Sequence, residues 1–300
     1  MVKKYKSEAG GRQILETYDS LVRQWGVETH EEDVQTQYGK THLITAGNPV
    51  DPPLVLFHGV GDDAALMWLV NARDLAKHFH IIAVDTMGGP GKSEPNDSYY
   101  KDFDQTTWID GILESKGLAR VYIVGVSNGA YLTQRYTATR PDRVIKALCM
   151  AGSIAVKGAK SPMWRMMKVF LPEALFPSER NAIKLMKKLS GDHTAIDTLT
   201  AKYPALMRHY VSLLKYFNTQ SMFSHKITGF DNEQIAIIRE KTRILIGACD
   251  KLSYHSGAIE SLKIHHMNFR AVENTGHALN MEAPALVYEE IVRFLLGSTV

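Results

Sequence analysis

The sequence predicts an α/β fold: a mainly parallel sheet with helices on both faces and one helical insertion. Three features of the 300 residues point there. Short apolar runs recur without alternation, as strands buried on both faces of a parallel sheet require. Helical stretches separate those runs, the order that builds parallel sheets. One segment, residues 153–238, holds no convincing strand.

Taken in order, Ile14, Leu15, Tyr18, Leu21, Val22 and Trp25 fall at three- and four-residue steps over residues 12–25, one apolar helix face ending at Gly26. Val34–Tyr38 and His42–Thr45, joined through Gly39-Lys40, read as a hairpin. The buried runs follow at Leu54–Phe57, Ile81–Val84, Val121–Val124, Val144–Met150, Ile244–Ile246 and Phe269–Val272, with helices near 66–77, 106–116, 128–139 and 284–296. Residues 153–238 hold six of the twelve methionines, and Pro162, Pro172, Pro177 and Pro204 cut them into short helices. Methionine adapts its shape, so this stretch is expected to line a permissive pocket and to form a small core of its own. The organisation expected is therefore an N-terminal helix packed on the body (1–32), a core (33–152 and 239–300) and a helical cap (153–238) inserted between two strands.

Composition narrows the function. A net charge of +3 falls short of the basic excess of a nucleic-acid binder. No apolar run nears the roughly 20 residues that span a bilayer, and no h-region follows the basic N-terminus. A cytoplasmic protein is expected. Cys149 and Cys249 form no CxxC pair, and both read as reduced thiols in the core. No feature fixes the oligomeric state.

The chemistry lies in Gly125-Val126-Ser127-Asn128-Gly129, between a strand and a helix. In that context GxSxG is a nucleophile elbow: Ser127 sits on a strained turn that exposes its hydroxyl, and Gly125 and Gly129 avoid clashes there. A serine needs a base. Of twelve histidines only His277 occupies a loop after a late strand; His58 belongs to an earlier loop, and the others read as surface, helix, cap or hairpin residues. Asp250 ends the run from Arg243, giving the chain order Ser, Asp, His. It would fix the imidazole tautomer and stabilise the imidazolium. Asp85 also ends a strand but precedes the nucleophile and is expected to organise its own turn. The oxyanion requires two N–H donors, Asn128 and, from Phe57-His58-Gly59-Val60-Gly61, Val60. His58 and Gly59 shape that loop. Gly88–Ser93 looks like the end of a phosphate-binding loop, but Thr86 replaces the leading glycine and Pro95 and Asn96 follow where a helix should run. No metal or cofactor is called for.

HGVG at 58–61, VDTMGGPGKSEP at 84–95, GVSNG at 125–129, ACD at 248–250 and GHALNMEAP at 276–284 resemble the α/β-hydrolase superfamily over about residues 33–300. The stretches ETYDSLVRQWGV, YGKTHLITAG and PPLVLFHG are similar to bacterial carboxylesterases of the naproxen-esterase type. The resemblance implies a Ser127–Asp250–His277 triad, Val60 and Asn128 as donors, and a small-molecule ester as substrate. The glycine-rich turn after Asp85 is longer than usual, and Asn128 stands where many relatives carry an apolar residue. Carbon–carbon bond, lactone or thioester hydrolysis, or perhydrolysis, would use the same triad. A non-catalytic binding protein of this fold is the third reading. Residues 153–238 carry twelve Lys and Arg against six Asp and Glu, so the segment is +6 and the remaining chain −3. That asymmetry is expected to favour anionic esters at the entrance.

Overall fold

The computed structural model describes residues 2–158 and 163–297. Pro162, one of the expected helix breaks, lies outside them. Nine strands form one sheet: β1 (Thr29–Thr36), β2 (Gly39–Ala46), β3 (Pro53–Phe57), β4 (His80–Val84), β5 (Glu94–Pro95), β6 (Val121–Val126), β7 (Val144–Met150), β8 (Thr242–Gly247) and β9 (Asn268–Val272). Their order is β1-β2-β4-β3-β6-β7-β8-β9, with β5 beside β2. The six strands from β4 to β9 in that order are parallel, and β1, β2 and β5 pair antiparallel.

The helices of the first half are α1 (Glu8–Val22), α2 (Ala64–Met67), α3 (Ala72–Leu75), α4 (Asp97–Asp102), α5 (Gln105–Ser115) and α6 (Asn128–Thr139). Between β7 and β8 come α7 (Met163–Ala174), α8 (Glu179–Leu189), α9 (His193–Lys202), α10 (Pro204–Tyr216) and α11 (Asn232–Lys241). The chain closes with α12 (Ser256–Ile264), α13 (Leu279–Glu282) and α14 (Pro284–Leu296).

The inner strands read as unbroken apolar runs because both faces are covered. Leu54 and Leu56 of β3, Ile81 and Ala83 of β4 and Val124 of β6 enter one core cluster. Their neighbours Val55, Phe57, Ile82, Val84 and Ile123 enter another on the opposite face. The first cluster continues into the helical segment through Met186, Leu206, Met207 and Phe217. Among the described residues, that segment therefore shares a core with the sheet. Among the described residues no helix is long and apolar enough to cross a membrane.

Several boundaries differ from the sequence reading. The first strand starts at Thr29 and its turn is Gln37-Tyr38, not Gly39-Lys40, so a boundary at residue 32 would cut a strand. Charge hid it: on this edge strand Glu31 pairs with His42 and Lys92, and Glu32 with Lys116. The N-terminal helix begins at Glu8, where the Ser7 side chain accepts the Gly10 N–H. It rests on the core, with Trp25 Nε1 donating to the Ala65 carbonyl at 3.0 Å, but also on α10, where Gln13 donates to Ser212 at 3.1 Å. The helix expected over 66–77 is two four-residue turns, and Asn71 between them donates to the Asn280 carbonyl. Pro172 falls in the last turn of α7 and divides nothing. Cys149 is buried in β7, but Cys249 is exposed, because it lies past the end of β8 in the turn leading to Asp250.

Candidate active site

Parallel pairing brings four loops to one edge of the sheet. Phe57 pairs with Gly125 and Gly247 with Val272, so the loops after β3 and β6 are neighbours, as are those after β8 and β9. Strand order reverses between β3 and β6, the switch point where ligands bind in open α/β sheets.

Ser127 follows β6 directly. Its φ is 55° and its ψ −113°, a strained conformation for a residue with a side chain. The close packing around it explains both glycines. A Cβ on Gly125 would meet the Gly129 carbonyl oxygen at 2.1 Å, and one on Gly129 would meet the Phe57 carbonyl oxygen at 2.2 Å. Gly125→Ala is expected to cost roughly 1–3 kcal/mol by overpacking. An unchanged urea midpoint would contradict so tight an elbow.

His277 Nε2 lies 3.1 Å from Ser127 Oγ, and its Nδ1 lies 2.8 Å from Asp250 Oδ2. A carboxylate only accepts, so Nδ1 carries the proton and Nε2 is left to accept from the serine hydroxyl. The Asp250 carboxylate also accepts the Leu252 and Ser253 N–H groups. Burial opposes its ionisation, but His277 and these amides hold its pKa below the usual carboxylate value. Burial likewise opposes charging His277, yet the Asp250 charge and hydrogen bond outweigh it and raise the imidazole pKa above 6.5. Ser127 and His277 are partly open to solvent, while Asp250 is buried.

The helical segment helps to place the base. His277 N–H donates to the Leu189 carbonyl at 2.6 Å. Glu282 accepts the N–H groups of Gly276, Gly191 and Asp192, stitching the His277 loop to the turn between α8 and α9. Nothing in the sequence spacing announced Glu282 in this role.

Val60, 43% exposed, stands in the loop between β3 and α2. Among the described residues its N–H has no acceptor. Asn128 opens α6, so its N–H has none within the helix. Gly59 faces the nucleophile: a Cβ there would lie 3.4 Å from Ser127 Cβ. His58 is fully buried and turned away. Its Nδ1–H donates to the Gly59 carbonyl at 2.8 Å and its Nε2 accepts the Thr86 N–H at 2.9 Å, so it braces the loop. Asp85 accepts the N–H groups of Lys92 and Ala64, and Gly88–Ser93 wraps around it as a turn.

Two further groups escaped the sequence reading. His209, placed there in a polar cap context, is fully buried; its Nε2 lies 2.7 Å from Asp63 Oδ2 and its Nδ1 2.8 Å from Thr17 Oγ1. Asp62, beside Asp63, lies in the Val60 loop. Two consecutive acids just past HGVG were the only signal available. A groove of about 690 Å³, with no triad residue in its lining, is lined by Glu173, Arg180, Lys184, Lys187, Lys188 and Lys251 among others. Much of its charge is matched: Lys184 and Lys188 pair with Glu173, and Lys187 with Asp197. Among the described residues no cluster of three His, Cys, Asp or Glu side chains is arranged to hold a metal.

Comparison with known proteins fits this geometry. Residues 52–284 match the family model for the alpha/beta hydrolase fold. The chain is 25% identical over 293 residues to carboxylesterase YbfK of Bacillus subtilis, covering 96% of this chain and 95% of that protein. It is 23% identical to a second B. subtilis protein, the uncharacterized carboxylesterase nap, over 96% of this chain and 94% of the relative. Its fold superposes on the crystal structure of naproxen esterase from B. subtilis with a TM-score of 0.80 at 22% identity, covering 96% and 99% of the two chains.

Proposed function

Because the chain belongs to the alpha/beta hydrolase fold family, we propose that it is a serine carboxylesterase cleaving small-to-medium carboxylic esters through an acyl-enzyme on Ser127. The observation that carries this reading is the Ser127–His277–Asp250 chain of hydrogen bonds, 3.1 and 2.8 Å long, at the open edge of the sheet. Two near-full-length relatives named carboxylesterases support the substrate class.

In this mechanism His277 Nε2 takes the Ser127 proton as Oγ attacks the ester carbonyl. The negative charge on the carbonyl oxygen is received by the Val60 and Asn128 N–H groups. The tetrahedral intermediate collapses, and the alcohol leaves with the proton His277 returns. Water, deprotonated by the same imidazole, then releases the acid and restores Ser127. Asp250 keeps the working tautomer and stabilises the imidazolium. Residues 153–238 act as a cap over the site, contributing through the 189–192 turn to the position of His277. The two unpaired cysteines support a reducing compartment, the cytoplasm.

A panel of p-nitrophenyl esters of rising acyl length, with a fluorophosphonate adduct mapped by mass spectrometry, tests the proposal. Turnover with the adduct on Ser127 is expected. Absence of turnover on every ester, or an adduct elsewhere, overturns it.

The pH profile has a determined sign. Only neutral His277 can act as base, and its pKa is raised. The activity is therefore complete above that pKa and lost as pH falls through it, with the midpoint of the acid limb above 6.5. Asp250→Asn removes the largest charge raising the imidazole pKa; the limb should move down and kcat drop by about 10⁴-fold. A limb that stays in place would separate it from this pair.

A further inference from the structure

We propose that Asp62 forms a cation-accepting subsite beside Ser127, so that the enzyme prefers esters bearing a protonated amine or quaternary ammonium group. The inference rests on the serine esterase reading above and names its substrate class.

Position comes first. Asp62 belongs to the loop between β3 and α2 that carries Val60. A methyl group on Gly59 would touch both Asp62 Oδ2 and Ser127 Cβ, each at 3.4 Å. The carboxyl and the nucleophile thus border the same small space. Asp62 is half-buried, open to a ligand but withdrawn from bulk water.

Among the described residues Asp62 makes no ion pair or hydrogen bond. The two histidines closest to this loop in the hydrogen-bond pattern are directed elsewhere: His277 Nδ1 to Asp250 at 2.8 Å and His209 Nε2 to Asp63 at 2.7 Å. Burial, reinforced by the Asp63 charge, pushes its pKa up to about 7. Burial and, after it, the Asp62 charge raise the Tyr210 pKa on α10, and Asp62 adds to the larger effect of Asp250 in raising that of His277. An uncompensated carboxylate at low dielectric is costly, and a ligand cation placed there removes that cost. The same charge repels a carboxylate-bearing ester. Selection by charge therefore acts at the reacting centre and with the opposite sign to the basic helices, whose groove has no triad residue in its lining and is partly neutralised.

Three p-nitrophenyl esters of matched chain length, ending in trimethylammonium, its isostere tert-butyl, and carboxylate, test this at pH 8 with the full chain. Wild type should favour the cationic over the neutral ester in kcat/KM, and Asp62→Asn should lower that ratio about tenfold, mainly through KM. The variant should also narrow the gap against the anionic ester. An unchanged ratio, or a wild-type preference for the anionic ester, overturns the subsite. If Asp62→Asn does not fold, Asp62→Ser serves. Lack of turnover of all three, or turnover surviving Ser127→Ala, overturns the esterase reading instead. In that event calorimetry of the non-hydrolysable trimethylammonium and tert-butyl amides decides the subsite alone: binding must favour the cation and lose that preference in the Asp62 variant.

Discussion

Ser127→Ala is expected to lower kcat on p-nitrophenyl esters by on the order of 10⁶-fold, about 8 kcal/mol of transition-state stabilisation, while the protein stays folded. The size follows from covalency. Without Oγ there is no acyl-enzyme, and His277 can only direct water at the substrate. What survives is the stabilisation of the carbonyl oxygen by backbone N–H groups, so the residual rate should still exceed that of water. The hydroxyl makes one hydrogen bond within the described residues, to His277 at 3.1 Å, so its loss should shift stability by no more than about 1.5 kcal/mol. The left-handed backbone at Ser127 suits alanine no worse than serine. A single-turnover burst in wild type that vanishes in the variant, with an overlapping melting curve, is the expected pair of results. A variant within tenfold of wild type would remove Ser127 from the chemistry. His277→Ala should fall as far, since the two groups act as one unit, and the double variant no further.

The parts of the fold legible in sequence were those decided by burial. Strands β3, β4 and β6 announced themselves because residues facing either side enter a core. The first half of strand β1 did not, because its Glu31 and Glu32 pair with residues on other elements that the pattern cannot see. The nine residues of α12 were missed for the same kind of reason, since only Ala258 and Leu262 are buried there. Ser127, Asp250 and His277 were legible because each follows a strand, and parallel strands deliver their ends to one edge. Asp62, Glu282 and His209 were not. Their partners or targets lie on other elements, and Asp63 and His209 are 146 residues apart. Charge summed over 153–238 counts lysines that Glu173 and Asp197 pair with, so the net +6 of that segment is not all free charge.

The buried pair of Asp63 and His209 carries the largest stability effect expected away from the nucleophile. Both side chains are fully buried, and they join three elements. His209 belongs to α10 and its Nδ1 meets Thr17 of α1; Asp63 Oδ1 caps α2 by accepting the Leu66 N–H at 3.0 Å. Burial alone would raise the Asp63 pKa, but His209 and the Leu66 amide hold it below the usual value. His209→Leu leaves that carboxylate buried without its partner, which should cost about 3–5 kcal/mol in urea denaturation. Asp63→Asn keeps the α2 cap and removes the charge, so the double variant Asp63→Asn/His209→Leu should be clearly less destabilised than the two losses added together. The sign with pH follows from the depressed carboxylate: its contribution is fully present above about pH 4, the unfolded value, and is lost as pH falls through the lower folded value. Asp63 directly follows Asp62 in the Val60 loop, so His209→Leu should also lower kcat at temperatures where the variant is fully folded. A loss under about 1 kcal/mol, or strict additivity in the double variant, would mean that the pair is a bystander to both the fold and the loop.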